Sequence, residues 1–434
     1  MTGELKTVAT LGLLTAALPL NLAVTGAALV RRSYVRPQRA VAEHPQTILI
    51  SGGKMTKALQ LARSFSRAGH RVVLVEQRKY RLTGHRFSSD VDRFYVVPRP
   101  QDDGYVDALL AVALAEGVDV YVPVCSPVAS YFDALAKAAL AKHCEVLHLE
   151  PDVVHDLDDK EAFARLATAL GLAVPDSHRI TDPQQVVDFD FAGSDRTYVL
   201  KSIGYDSVRR LDLTRLPLAT AGQTAAFARA LPITADNPWI LQEFIDGQEF
   251  CTHSTVRDGR IQVWCCCASS AFQINYAMVD KPRITAWVET FVGALQLTGQ
   301  VAFDFIEAAD GQVFAIECNP RTHSAITMFY DHPGLARAYL QDDVEVVTPL
   351  ESSRPTYWLY HELWRALRDP RHAADQWQVV RRGKDAIFDL DDPLPFLLVH
   401  HLQVPLLLLQ NLRRRKGWLK IDFNIGKLVE NTGD

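Results

Sequence analysis

Val301-Ala302-Phe303-Asp304-Phe305-Ile306, followed after an Asp310-Gly311 turn by Phe314-Ala315-Ile316-Glu317-Cys318-Asn319-Pro320-Arg321, reads as the two strands of a hairpin. Side chains alternate between faces along a strand, so Asn319 shares a face with Glu317, and Asp304 on the neighbouring strand can oppose Glu317. Two carboxylates at a buried hairpin end repel unless a cation lies between them. Together with an amide carbonyl they form a hard oxygen set suited to Mg²⁺, or to Mn²⁺, that keeps water and phosphate ligands. Arg321 adds a planar fork of donors for phosphate oxygens. The competing reading is a surface hairpin with charged turns; the apolar flanks of each acid favour the metal site.

Working upstream, Trp239-Ile240-Leu241-Gln242-Glu243-Phe244-Ile245-Asp246-Gly247-Gln248-Glu249-Phe250 is an apolar strand running into a short connection. Such a connection presents backbone N–H and C=O groups to an adenine edge, and Glu249 just past Gly247 suits ribose hydroxyls. By itself this is an ordinary strand and turn, and its value comes from order along the chain. Lys201 ends the strand Tyr198-Val199-Leu200 ahead of a Gly-containing loop, and Lys160 opens an amphipathic helix carrying Phe163, Leu166, Ala167 and Leu170. Each lysine is a point cation able to neutralise phosphate, although a lone lysine is normally a solvated surface group.

Further upstream the pattern alternates strand and helix. Thr47 to Ser51 is a β-branched apolar run, Gly52-Gly53 breaks it, and Ala58, Leu61, Ala62 and Phe65 recur at helical spacing. Strands over Arg71–Glu76, Phe94–Val97 and Val118–Val124, with a helix over Val106–Ala115, imply a small parallel α/β sheet. Its first strand would aim Gly52-Gly53-Lys54 into a ligand crevice. No full G-x-G-x-x-G accompanies it. The expected organisation is a hydrophobic helix and linker over 1–45, an α/β domain over 46–150, a mixed α+β nucleotide domain over 151–350 and a helical extension over 351–434.

With 434 residues, 48% hydrophobic and 22% charged, the chain has the composition of a globular enzyme of two or three domains. A net charge of -5 leaves no global basic field for a nucleic-acid backbone, so nucleic acid is not an expected partner. Seven cysteines occur without a C-x-x-C pair, and Cys265-Cys266-Cys267 lies in a strand-like run, which reads as reduced thiols filling cores.

Thr7 to Val30 carries no charged side chain and is followed by Arg31-Arg32. That length can span a bilayer, with the basic flank holding the following domain in the cytoplasm, where ATP is available. A cleaved signal peptide is a rival reading, as is a helix packing on the protein itself, because Thr7, Thr10, Thr15, Pro19, Asn21 and Thr25 dilute the apolar character. Membrane association is the expectation. A second uncharged stretch, Pro393 to Leu412, ends in Arg413-Arg414-Arg415-Lys416.

The order Lys160, Lys201, Gln242 to Glu249, then Asp304, Glu317, Asn319 and Arg321 resembles the ATP-grasp superfamily over residues 46 to about 330. The resemblance implies an ATP-grasp fold in which Lys160 and Lys201 contact ATP phosphates, with Gln242 beside them. Glu243 and Ile245 would meet adenine through their backbone, and Glu249 would bind ribose. Asp304 and Glu317 would hold two Mg²⁺ ions, Glu317 bridging and Asn319 on the second. The loop Ser202 to Arg210 departs from the Gly- and Ser-rich form usual in that superfamily.

A narrower resemblance, carried by Lys201–Leu211, Gln273-Ile274-Asn275-Tyr276, Glu317–Phe329 and Gly417–Lys427, is to the mycosporine-glycine synthases, which join glycine to 4-deoxygadusol. It implies that an enol oxygen, a vinylogous carboxylate, attacks the γ-phosphate and that glycine displaces phosphate from the enol phosphate. Lys201 and Arg321 would screen phosphate charge, and His323 would orient substrate, take the ammonium proton or serve structure alone. Gly53, Lys54, Gln273, Asn275 and Tyr276 are the candidate acceptor residues. A homodimer is compatible with the sequence. Two alternatives stand: a ligase for an ordinary carboxylate working through an acyl phosphate, and a membrane-tethered nucleotide-binding regulator.

Overall fold

Strand β1 (Thr47–Ile50) runs parallel between β2 (Arg71–Gln77) and β4 (Val120–Val122), with β3 (Arg93–Val97) and β5 (Glu145–Val146) at the edges of a five-stranded parallel sheet ordered β3-β2-β1-β4-β5. Burial on both faces explains the unbroken apolar runs. Ile48 and Ile50 enter a core with Ala58, Leu61 and Phe65 of helix α2 (Thr56–Arg67), whereas Leu49 faces the opposite layer with Tyr105, Leu109 and Val112. The computed structural model describes residues 3–35, 39–124, 126–193, 195–204, 209, 212–269, 275–342 and 344–430. Gln273, and residues 205–208 and 210–211 of the loop after Lys201, lie outside the described residues.

Two antiparallel sheets follow. Strands β6 (Ser177–Ile180), β7 (Tyr198–Ser202) and β8 (Trp239–Glu243) form a small sheet ordered β6-β8-β7. Strands β9 (Gly247–Arg257), β10 (Arg260–Ala268), β12 (Gly299–Ala308) and β13 (Val313–Asn319) form a larger one ordered β10-β9-β12-β13. Alternation along β12 decides the site: Phe303 and Phe305 turn into an aromatic core with Phe163, Trp287 and Phe291, so Asp304 between them faces away from that core. Along β10, Cys265 and Cys267 enter one core and Cys266 the other, and the six described cysteines are buried and unbridged.

β11 (Asn275–Tyr276) pairs with β14 (Thr356–Tyr357), which pairs in parallel with β15 (Lys384–Asp385). The hairpin of β16 (Trp418–Asp422) and β17 (Lys427–Glu430) sets its turn against the start of α2, where Asn424 O accepts the Thr56 N–H. Helix α1 (Gly3–Tyr34, 32 residues) extends past the uncharged stretch at both ends. The two uncharged segments meet: α1 packs on the broken helix formed by Leu394–Leu398, Val399–Gln403 and Val404–Arg413.

Candidate functional site

Glu317 of β13 sits directly opposite Asp304 of β12, with a bulge in register between Asp304 and Phe305. Asn319 donates from Nδ2 to Asp304 Oδ2 at 3.2 Å and accepts on Oδ1 from Arg321 Nη2. Arg321 also pairs with Asp158 at 3.0 Å. Burial, then the repelling Glu317 charge, pushes Asp304 up to about 7. Burial opposes the Glu317 charge too, but Lys160, Arg321 and Lys201 outweigh it and hold that carboxyl below its usual range. One acid is thus charged and ringed by cations, and its neighbour, raised toward neutrality, lacks a compensating positive charge of its own. This donor set fits Mg²⁺: two opposed carboxylates and an amide, hard oxygens in need of a positive charge.

Three elements bring the cations in. Asp159 caps the helix Lys160–Ala169, accepting from Glu161 and Ala162 N–H, and this cap aims Lys160 Nζ to 3.4 Å from Glu317 Oε1. Lys201, on β7, donates to Gln242 Oε1 of β8 at 3.0 Å, and Gln242 Nε2 donates to Ile316 O of β13 at 3.3 Å. Gln242 therefore bridges the small sheet to the large one. Burial drives Lys201 down from its ordinary value, while Glu317, Glu249 and Asp304 pull it back up. The charge of Glu249 is felt at both Lys201 and Asp304. Glu243 is tied back: its N–H donates to Asp176 O at 2.7 Å and its carboxylate meets Arg196 at 3.3 Å. Ile245 is half-buried in the connection to β9.

Lys160, Lys201, Gln242, Asp304, Glu317, Asn319 and Arg321 thus form one linked cleft between two antiparallel sheets. A solved N5-carboxyaminoimidazole ribonucleotide synthetase in its ADP complex aligns with TM-score 0.54 over 73% of this chain and 81% of that one, at 14% identity. The biotin carboxylase domain of Hydrogenobacter thermophilus 2-oxoglutarate carboxylase, in complex with MgADP, ADP and bicarbonate, aligns with TM-score 0.51 over 65% of each chain at 12% identity. The fold is ATP-grasp. The carbamoyl phosphate synthase large chain of Vibrio cholerae serotype O1 is 25% identical over 285 residues, which is 60% of this chain and 24% of that protein. The chain therefore spans about a quarter of the length of this curated relative. No family profile matches the chain.

Beside the ATP-grasp cleft lies a second cluster. Gly52 adopts φ +68°, and a Cβ there would fall 2.1 Å from Val124 O, so only glycine lets the chain turn tightly out of β1. Gly53 donates to Val75 O at 3.1 Å, and its own carbonyl meets His85 Nδ1 at 3.0 Å. Lys54 is buried, 3.7 Å from Glu76 and over the Tyr80 ring. Its ammonium is thus occupied within the sheet. Tyr276 is buried with its ring 5.3 Å from His323 and 6.0 Å from Trp358. Asn275 reaches instead toward Glu362.

His323 accepts an N–H from Ala325 on Nδ1 at 3.2 Å, so its proton resides on Nε2, and burial with the Lys57 and Arg321 charges pushes it down to about 3. It stands as a neutral donor. The sequence reading gave no role to Lys57, which donates to Thr322 O, nor to Asn424, whose Nδ2 donates to Ser324 Oγ at 2.6 Å. Asn424 O also accepts the Thr56 N–H at 2.9 Å and caps α2. Asn424 lies within the Gly417–Lys427 stretch that carried the resemblance, whereas no sequence signal marked Lys57.

Proposed function

We propose that the chain is an ADP-forming carbon–nitrogen ligase that phosphorylates the enol oxygen of 4-deoxygadusol and condenses the product with glycine, giving mycosporine-glycine, ADP and phosphate. The observation that carries the ligase reading is the cleft itself, in which Lys160 and Lys201 converge on the opposed pair Asp304 and Glu317. ATP with Mg²⁺ is the cofactor this donor set favours, and Mn²⁺ meets the same requirement. Asp304, Glu317 and Asn319 would hold the metal, which supplies charge neutralisation along the phosphates.

Lys160 and Lys201 leave their resting partners for phosphate oxygens, and Arg321 offers its planar fork to the group in transfer. The enol oxygen attacks the γ-phosphorus as the bond to ADP breaks. The glycine amine then adds to the activated carbon, phosphate departs with the C–O pair, and the surplus ammonium proton passes to solvent or phosphate. Catalysis rests on positioning and charge, and no enzyme nucleophile is required. Glu243 and Ile245 would meet adenine, with the Glu243 N–H already spent on Asp176, and Glu249 would meet ribose.

Tyr276, His323 and Gly53 supply the acceptor side, with Lys54 supporting the loop from beneath. His323, neutral with its proton on Nε2, suits a donor to the acceptor's oxygen rather than a base for the amine. Such an enzyme belongs in the cytoplasm, with α1 as its candidate membrane contact and a homodimer as a candidate assembly. Incubation of the protein with ATP, Mg²⁺, glycine and 4-deoxygadusol should give ADP and a new near-ultraviolet absorber. ADP release with other carboxylic acids but none with 4-deoxygadusol would replace this substrate by an ordinary carboxylate. No ADP release with any acid and amine pair would leave a nucleotide-binding regulator.

A further inference from the structure

Helix α1 buries Thr7, Leu14, Asn21 and Ala28 along one seven-residue seam and leaves most of its remaining surface exposed. The exposed part includes Leu5, Leu13, Leu20 and Val30, with Leu20 69% exposed, and carries no charge between Thr7 and Val30. The threonine hydroxyls do not make it polar: Thr10 and Thr15 donate back to Lys6 O and Leu11 O at 2.8 and 2.9 Å. The polar Asn21 turns inward to Tyr360 and His401.

The helix Leu359–Arg368 meets α1 through side chains. Its Tyr360 touches Asn21, and burial followed by the nearby Arg368 charge pushes Lys6 down. Trp364 and Leu367 fall at helical spacing between those two contacts, and both are exposed, Leu367 at 67%. Trp377, on the helix packed against it, is 62% exposed. Two exposed tryptophans and Leu367 thus stand on the helix pair that α1 meets at Asn21. The margins are cationic. Arg413 to Lys416 lead to Gly417, whose Cα lies 3.6 Å from a Cβ built on Gly3, Arg31 and Arg32 close the other end of α1, and Arg368 and Arg371 are exposed beyond Trp364.

We propose that this surface docks the protein on the anionic face of a lipid bilayer, with α1 lying in the membrane plane rather than crossing it. An uncharged leucine surface flanked by arginine and tryptophan matches the headgroup boundary in both hydrophobicity and charge. In-plane placement follows from how the ends are tied. Lys6 Nζ donates to Trp418 O and Leu419 O at 3.0 and 2.8 Å, and Arg31 pairs with Asp391 at 2.8 Å. Those anchors are about 37 Å apart along the helix, more than a hydrocarbon core of about 30 Å, yet both belong to the same folded body. A crossing helix would need one of them on the far side. The inference is independent of which acid the site phosphorylates.

The test is sedimentation of the full chain with vesicles of phosphatidylcholine alone or doped with phosphatidylserine. Binding should favour the anionic vesicles, shift tryptophan emission to the blue, and weaken about fivefold for each of Arg414→Ser and Arg415→Ser. The double variant Leu20→Glu with Leu367→Glu should abolish binding and leave ADP formation intact. A membrane-impermeant maleimide added outside bound vesicles should label both Glu4→Cys and Ser33→Cys. Labelling at one end only would show a crossing helix and overturn the proposal. So would absence of binding to either vesicle, or a dimer in lipid-free buffer that the double Glu variant splits while vesicles bind nothing.

Discussion

Lys160 Nζ lies 3.4 Å from Glu317 Oε1, an ion pair that joins a capped helix to the β12–β13 hairpin. It is the largest of the charges that hold Glu317 below its usual range against burial, while Asp304 opposite is pushed up to about 7. Glu317→Gln and Asp304→Asn should each lower ADP formation by at least about a hundredfold. Asp304→Asn should leave the melting temperature unchanged or raise it, because it removes one of two repelling carboxylates. Retained turnover in Glu317→Gln would remove that residue from the metal site.

Lys201→Met should strand Gln242 without its 3.0 Å partner and leave phosphate unneutralised. The expected outcome is a KM for ATP raised about tenfold with kcat also reduced. Lys201→Arg should recover part of the loss, read from ADP release against ATP concentration.

His323 accepts from Ala325 and is pushed down to about 3, so it does not titrate between pH 5 and 8. The acid limb of the pH–rate profile should therefore be the same in His323→Asn as in the parent. The KM for the acceptor should rise about tenfold with the KM for ATP unchanged, the signature of a lost donor on one substrate. A profile whose acid limb moves in this variant would restore His323 as a base.

Buried histidines set the acid stability. Burial drives His85 and His361 down to about 4 and His400 to about 3. A histidine depressed on folding binds more protons unfolded, so its contribution is whole above pH 6.5 and is lost as pH falls toward the folded value. Each removes about 1.4 kcal/mol per pH unit through that window. Asp304, pushed up to about 7, and Asp385, raised by burial, act in the opposite direction and offset part of the loss. The melting temperature should fall steadily from pH 6.5 to 4.5. His400→Phe, which keeps the stack on Tyr360, should flatten the slope.

Gly426 has φ +71°, and a Cβ there would fall 2.2 Å from Lys54 O. Gly426→Ala should cost about 1–3 kcal/mol and displace the loop after β1. Thermal unfolding reads the first effect. A raised acceptor KM at unchanged ATP KM reads the second.

The pairing of Asp304 with Glu317 was legible because a period of two and an Asp-Gly turn are local signals. The parallel sheet was legible because runs such as Thr47–Ile50 and Arg71–Gln77 suit strands buried on both faces. The second cluster was not, since Lys57, Tyr276, His323, Trp358 and Asn424 come from separate segments and no local pattern announces their meeting. The seven-residue seam of α1 was present in the sequence. Its polar members Thr7 and Asn21 read there as dilution of an apolar helix, whereas they are the contacts that hold it flat against Trp418 and Tyr360.

Thr56 and Phe423 share a hydrogen bond across 367 positions of chain. The turn that caps α2 closes a loop of most of the chain, and such a contact forms late because chain entropy is lost before the contact repays it. The Lys160–Glu317 pair of the ATP-grasp cleft closes a loop less than half as long. During refolding, nucleotide protection should therefore return before acceptor turnover, and the interval between them measures how long the protein holds ATP with no place yet to put its phosphate.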